Sequence, residues 1–326
     1  MRPILLAILL LFAPAAGAER FTFVAFGDMP YCDERAMESC PAEEVRVARL
    51  MAAINAARPA FSIFLGDTKG GDEHCTDTRL LRALDWMALA DHPLVYTPGD
   101  NEWTDCHRAR AGGFDPLERL GKVRELFFAD PVRSHGRAKI AVESQARVMA
   151  ERFGKYVENA RWTQNGVVFA TVHVVGSNNN FEPGAPAVAM EYFERDAANV
   201  AWIDATFAHA VSSGAKAVVL SWQADVQDVT QKWAGEMPRV SGFVNTVNAV
   251  ERGAKAFGKP VLVIHGDEHV FQVGRFLNAK YKPIPNVLRL EVMGAEDIHA
   301  VRVLVDPDSP SVFGFFPLLV PENGAF

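Results

Sequence analysis

The sequence predicts an α/β fold, and three observations carry that prediction. Apolar, β-branched runs alternate with stretches of helix length through most of the chain. Three of the early runs end in Gly-Asp, the dipeptide expected where a strand meets a loop at a ligand crevice. Finally, 326 residues with 49% hydrophobic content can bury a sizeable core.

The chain begins with Arg2, an apolar stretch from Ile4 to Phe12, and Ala16-Gly17-Ala18 just before Glu19. This pattern predicts a secretory signal peptide over residues 1–18, too short in its apolar part to serve as a membrane anchor. The remainder, 19–326, shows no repeat and no low-complexity linker and is read as one domain. An exported, periplasmic or extracellular protein is expected.

Strands are predicted at Phe21 to Phe26, Phe61 to Leu65, Leu94 to Thr97, Val167 to Val175, Ala217 to Leu220 and Val261 to Ile264. Helices are predicted at Glu43 to Ala57, Arg79 to Leu89, Pro116 to Phe128, Met190 to Val211 and Val244 to Phe257. The tail differs: Val287 to Val292, Ala300 to Val305 and Val312 to Phe316 follow one another without a helix-length insert. Consecutive strands favour antiparallel pairing, so a second sheet packed on the first is expected from the tail. Phe313 to Val320 is read as a core strand.

A net charge of −7 argues against sequence-independent nucleic-acid binding, which needs a basic surface. Four cysteines in an exported chain predict two disulfides, of which three connectivities are possible. Cys32 with Cys40 and Cys75 with Cys106 are the favoured pairs; four unpaired thiols are the alternative.

Chemistry concentrates at strand ends. Phe26-Gly27-Asp28, Leu65-Gly66-Asp67 and Pro98-Gly99-Asp100 should bring three carboxylates into one crevice, with glycine letting the backbone turn. Val261 to Ile264 leads into His265-Gly266-Asp267-Glu268-His269, the densest group of metal-ligand types in the chain.

In their order, Gly27-Asp28, Gly66-Asp67, Gly99-Asp100-Asn101-Glu102 and Gly266-Asp267-Glu268-His269 resemble the motifs of the calcineurin-like metallophosphoesterase superfamily. Its usual forms are Asp-x-His, Gly-Asp-x-x-Asp, Gly-Asn-His-Asp/Glu, a lone His after a strand, and Gly-His-x-His. The resemblance implies an αββα sandwich of two mixed sheets flanked by helices, holding one or two divalent metal ions (Mn, Mg, Ca, Fe or Zn). Carried over by position, Asp28 and His269 would bind one metal, Asp67 would bridge, and Asp100 and Asp267 would bind the second. A metal-bound hydroxide would then hydrolyse a small-molecule phosphoester.

The departures are specific. Pro30 stands at the His position of the first motif, Asp100 replaces a ligand Asn, and Asp267 replaces a ligand His. Asn101 stands where the family has a catalytic His, and Ser221-Trp222-Gln223-Ala224-Asp225 carries no His at the fourth motif, leaving Gln223 or Asp225 as substitutes. An aspartate-rich site should attract phosphate less strongly and prefer oxygen-loving ions to Zn²⁺.

Loops after the second and third motifs carry Asp72-Glu73-His74-Cys75 and Asp105-Cys106-His107-Arg108. A Cys75–Cys106 bridge would hold both over the crevice, making His107 the first choice for a substitute acid and Arg108 for a phosphate clamp. An extended backbone would place positions 265, 267 and 269 on one face, with His265 in a supporting role. The asparagines at 178–180 are read as turn formers. The function expected is phosphoester hydrolysis; the rival is a non-catalytic metal- or ligand-binding protein on the same fold.

Overall fold

The computed structural model describes residues 18–32, 40–227, 237 and 240–324. The leader expected over residues 1–18 lies outside these, apart from Ala18. No described helix is long and apolar enough to cross a membrane.

Twelve strands form among the described residues: β1 (Phe21–Phe26), β2 (Ser62–Phe64), β3 (Leu94–Tyr96), β4 (Glu143–Ser144), β5 (Ala160–Gln164), β6 (Val167–Thr171), β7 (Ala217–Ser221), β8 (Val261–His265), β9 (Gln272–Leu277), β10 (Pro283–Glu291), β11 (Ala300–Val305) and β12 (Phe313–Leu318). The helices are α1 (Pro41–Ala57), α2 (Asp77–Met87), α3 (Pro116–Phe127), the single turns α4 (Gln145–Val148), α5 (Ala150–Phe153) and α6 (Gly176–Asn179), then α7 (Pro186–Ser212) and α8 (Val244–Phe257). Helix starts follow local chemistry. Pro116 follows the N-cap Asp115, whose carboxylate accepts from the amides of Leu117 and Glu118, and Thr76 caps α2 through the amide of Arg79.

Two mixed sheets result, ordered β12-β11-β1-β2-β3 and β4-β5-β6-β7-β8-β10-β9. Each contains a parallel block, β1-β2-β3 in one and β6-β7-β8-β10 in the other, flanked by antiparallel strands.

Period-two alternation sorts the side chains into layers. Phe23, Ala25, Ile63 and Leu65 of the first sheet meet Phe169, Val219, Leu262 and Ile264 of the second in a core between the sheets. Their neighbours Val24, Phe26, Phe64 and Tyr96 face the opposite way, onto Leu50, Ile54, Leu80 and Val123 of α1, α2 and α3. On the far side of the second sheet, Val218, Leu220 and Val263 pack on Trp202 and Phe207 of α7 and Val250 of α8. The architecture is an αββα sandwich.

The tail does not build a sheet of its own. β10 lies parallel to β8 in the second sheet, whereas β11 returns antiparallel to β1 and carries β12 to the edge of the first. Edge position explains why β12 is half exposed, with Phe316 45% accessible, rather than a core strand. The run expected as one strand to Val175 stops at Thr171, and α7 begins earlier than the apolar pattern indicated. Both expected disulfides are present, Cys32–Cys40 and Cys75–Cys106.

Candidate metal centre

Asp28, Asp67 and Asp100 follow the carboxyl ends of three adjacent parallel strands, β1, β2 and β3. Gln223 and Asp267 follow β7 and β8 in the facing sheet. Ends of both parallel blocks therefore open onto one crevice, as open α/β sheets favour.

Hydrogen bonds tie the two sides together. The amide of Asp267 donates to Oδ1 of Asp28 at 3.1 Å, and Nε2 of His269 lies 3.7 Å from the same oxygen. Gln223 donates Nε2 to Asp67 Oδ2 at 3.3 Å and to Asp267 Oδ1 at 3.1 Å, while its Oε1 accepts from the amide of Gly176 at 2.6 Å. The amide of Asp225 donates to Asp267 Oδ2 at 2.8 Å. Of the two residues that could replace the absent histidine, Gln223 therefore joins the carboxylates by its side chain. Asp225 reaches them by its backbone alone and turns its carboxylate to Arg289.

The backbone turns are made by the aspartates themselves. Asp28, Asp67, Asp267 and His269 have φ of 55°, 56°, 85° and 64°, in the left-handed region. Each such non-glycine residue costs about 1–3 kcal/mol, and strain of this kind gathers at functional sites. Among the preceding glycines only Gly66 has positive φ; the others supply room. A Cβ at Gly99 would stand 2.0 Å from Asp67 Oδ1, and one at Gly266 would stand 1.9 Å from Asp28 Oδ2. The expectation that glycine makes the turn holds at Gly66 and is corrected at Gly99 and Gly266, where glycine clears the space that the carboxylates occupy. Positive φ at Asp267 and His269 also breaks the extended run, so positions 265, 267 and 269 do not share a face.

One contributor was not legible in the sequence. Gly176 to Asn180 forms a left-handed turn, with φ of 49° to 58° at Ser177, Asn178, Asn179 and Asn180. Asparagine tolerates that region better than most residues, which agrees with the turn role expected for 178–180. The turn delivers Ser177 Oγ to Asp100 Oδ2 at 2.9 Å and to Asp105 Oδ1 at 2.8 Å. A Cβ at Gly176 would touch both Asp100 Oδ2 (2.7 Å) and Asp267 Oδ1 (2.8 Å), so these two carboxylates flank one point.

Tyr31 is the second residue that sequence reasoning missed. Its hydroxyl donates to Asp67 Oδ2 at 2.9 Å and accepts from Asn101 Nδ2 at 3.0 Å, and its ring meets that of His269 edge-on at 5.3 Å. Only its position three residues after Asp28 could have drawn notice. Asn101 also donates Nδ2 to Asp67 Oδ2 at 2.7 Å and its amide to Oδ1 at 3.1 Å. Glu102 accepts from the amides of Thr68 and Gly99 and from the Tyr96 hydroxyl, which locks the two loops rather than offering a ligand.

The Cys75–Cys106 bridge lies beneath this ensemble, each sulfur 3.6 Å from the Asn101 carbonyl oxygen. Arg108 reaches the crevice edge, with Nη1 2.7 Å from Asp105 Oδ2 and Nη2 3.2 Å from Ser177 Oγ. His107 is exposed and its Nδ1 is 2.6 Å from the Thr104 carbonyl; its described hydrogen bond does not reach the aspartates.

The electrostatics are those of crowded acids. Burial, followed by the charge of Asp267, pushes Asp28 well above the usual carboxylate range. Burial and then the charge of Asp100 do the same to Asp67 and to Asp267. Asp100 is pushed up to about 7 by burial and by Asp105. Burial lowers His269, keeping its imidazole neutral. Burial and Asp67 raise Tyr31 well above the ordinary phenol, so it holds its proton.

These residues fit divalent cations. Asp28 Oδ2, Asp100 Oδ1 and His269 Nε2 are buried atoms without a hydrogen-bond partner among the described residues. Such orphaned acceptors need a cation or a proton. Carboxylate oxygens with one imidazole suit Mg²⁺, Mn²⁺, Ca²⁺ or Fe²⁺. The donors converge in pairs rather than as a closed shell. Among the described residues, groups of three such side chains with donor atoms within 4.8 Å of one another occur only elsewhere, at Asp225-His265-Glu291 and at Cys32-Cys40-Glu73.

No family model and no curated protein matches the chain. Among solved structures, the purple acid phosphatase PPD1 from yellow lupin (Lupinus luteus) seeds is similar, with 9% identity, a TM-score of 0.47 and 94% of this chain covered. The match takes in 55% of that phosphatase, so this chain spans about half its length. The protein TT1561 of Thermus thermophilus is similar at 10% identity and a TM-score of 0.42, over 92% of this chain and 99% of that one. At these scores the likeness carries no argument about chemistry, which rests on the site's own geometry.

Proposed function

We propose that the chain is an exported, metal-dependent phosphoester hydrolase. Convergence of Asp28, Asp67, Asp100 and Asp267 from two facing sheets onto one buried crevice is the observation that carries this reading. The motif order, which resembles that of the calcineurin-like metallophosphoesterases, supports it, and the two disulfides agree with export.

Asp28 with His269 would hold one divalent ion and Asp100 with Asp267 a second, with Asp67 between them. Bound there, such ions would supply Lewis acidity toward a phosphoryl oxygen and a nucleophile at neutral pH. The chain's own groups do the rest. Asn101 and Tyr31 orient Asp67 through its two oxygens. Arg108, at the rim, offers a planar guanidinium to phosphoryl oxygens. Tyr31 keeps its proton and donates it in a hydrogen bond to Asp67 Oδ2, so its part is to hold that carboxylate rather than to protonate a leaving group.

A second reading has a specific observation behind it. An amide at Gln223 and an exposed His107 leave the crevice with His269 as its sole histidine among those singled out from the motifs. A non-catalytic metal-binding protein would tolerate that loss. A screen of aryl phosphate monoesters and diesters with Mg²⁺, Mn²⁺, Ca²⁺, Fe²⁺ and Zn²⁺ separates the two. Turnover that depends on added ion supports the hydrolase, and none with any ion rejects it.

A further inference from the structure

Behind the aspartate crevice, where β8 and β10 end side by side, His265, Asp225 and Glu291 form a separate buried cluster. One donor atom from each lies within 4.8 Å of the others, and the residues are 1%, 8% and 0% exposed. We propose that this cluster is a second metal site, for one divalent first-row transition ion, distinct from the aspartate centre.

The state of His265 is the deciding observation. Its Nδ1 is 2.8 Å from the Gly266 carbonyl oxygen, which can only accept, so Nδ1 carries the proton in the neutral ring. That leaves Nε2 with a bare lone pair, buried and without a hydrogen-bond partner among the described residues. A carbonyl that fixes the tautomer and aims the other nitrogen is the usual outer partner of a ligating histidine. One ring nitrogen of His265 lies within 4.8 Å of a carboxylate oxygen of both Asp225 and Glu291, which are acceptors themselves.

Arg289 does not resolve the conflict. Its Nη1 lies 3.2 and 3.3 Å from the Asp225 oxygens and its Nη2 lies 3.4 Å from Glu291 Oε2. Charge-assisted pairs close to about 2.7–2.9 Å when they satisfy each other. Asp225 Oδ1 takes the Gln227 amide at 2.8 Å, and Glu291 takes Gln272 Nε2 at 2.7 Å and the Val270 amide at 3.2 Å. Among the described residues, Asp225 Oδ2 keeps only the long Arg289 contact. Burial pushes Glu291 up to about 7; with both carboxylates ionised, they, one guanidinium and a neutral imidazole sum to a single negative charge, which a divalent ion would offset. The mixed N and O donors suit Zn²⁺, Mn²⁺, Fe²⁺ or Co²⁺ better than Ca²⁺. An ion here would fix Asp225, whose amide donates to Asp267 across the boundary between the two sites.

Co²⁺ titration of the metal-stripped full chain, followed by visible absorbance and equilibrium dialysis, tests the site. In an Asp28→Asn/Asp100→Asn background, which takes a ligand from each ion of the aspartate centre, one equivalent should still bind. Adding His265→Gln should weaken that equivalent by more than the roughly 10–100-fold that loss of an outer partner costs. No binding in the background, or binding unchanged by His265→Gln, overturns the proposal. If the triple variant does not fold, Glu291→Gln alone should lower stoichiometry by one, and unchanged stoichiometry overturns it equally. Failure of the aspartate centre reads differently: wild type and the double variant would then each bind one equivalent, and this site would stand.

Discussion

Gln223 donates its side-chain amide to Asp67 across facing sheets, 3.3 Å from Nε2 to Oδ2, and shares the same nitrogen with Asp267. A neutral donor thus joins two carboxylates at the strand end where the family pattern has an imidazole ligand. Gln223→His should add an imidazole donor there, and the purified protein should retain more divalent metal by elemental analysis. Gln223→Leu should take a donor from Asp267 Oδ1 and the acceptor from the Gly176 amide, while Asp67 Oδ2 keeps Tyr31 and Asn101, and lower the stability of chelator-treated protein by about 1–3 kcal/mol. Unaltered unfolding of the Leu variant would count against the bridge.

Asp100 gives the pH prediction. Its carboxyl moves from 3.8 to about 7 on folding, through burial and Asp105. The raised value means that its stabilising contribution is present below pH 3.8, where both states are protonated, and is lost as pH rises through about 7. In chelator, Asp100→Asn should therefore gain melting temperature relative to wild type as pH goes from 5 to 7.5. Buried histidines cancel in that comparison because both proteins carry them. A constant difference across the range would contradict the shift.

Leaving-group dependence separates two residues. Tyr31→Phe takes one donor from Asp67 and should slow esters with poor and with activated leaving groups alike, by roughly 10-fold. His107→Ala, exposed and bonded to the Thr104 carbonyl, should change stability by no more than about 0.5 kcal/mol and leave that leaving-group dependence alone. A loss in His107→Ala confined to poor leaving groups would assign the acid role to His107.

The core between the sheets rests on aromatic packing. Phe169 stacks with Trp162 at 5.3 Å and meets Phe61 and Phe23 edge-on at 5.0 and 5.4 Å. Phe169→Ala should cost about 3–5 kcal/mol in denaturant unfolding. A loss below about 1 kcal/mol would mean that this core is not as packed as the ring geometry shows.

Much of this arrangement was legible because strand ends are local. Asp28, Asp67, Asp100 and Asp267 each follow an apolar run; parallel pairing of β1, β2 and β3 brings the first three to one edge, and the facing of the two sheets brings Asp267 of β8 to them. Tyr31 and Ser177 meet the acids only through tertiary packing, so no motif announces them, whereas the position of Gln223 after its strand left it open with Asp225. The destination of β10 was equally hidden: its alternation fits either sheet, and its parallel pairing with β8 is a long-range choice. His265 looked like a neighbour of Asp267 on one face because positive φ at Asp267 cannot be read from residue spacing.

Metal content of the purified protein, compared between wild type and Asp28→Asn/Asp67→Asn, tests the aspartate centre most directly. The double variant should lose at least one equivalent of divalent ion while keeping the wild-type circular dichroism spectrum. Equal metal content in the two folded proteins would contradict the assignment of Asp28 and Asp67 as ligands, and with it the hydrolase built on them.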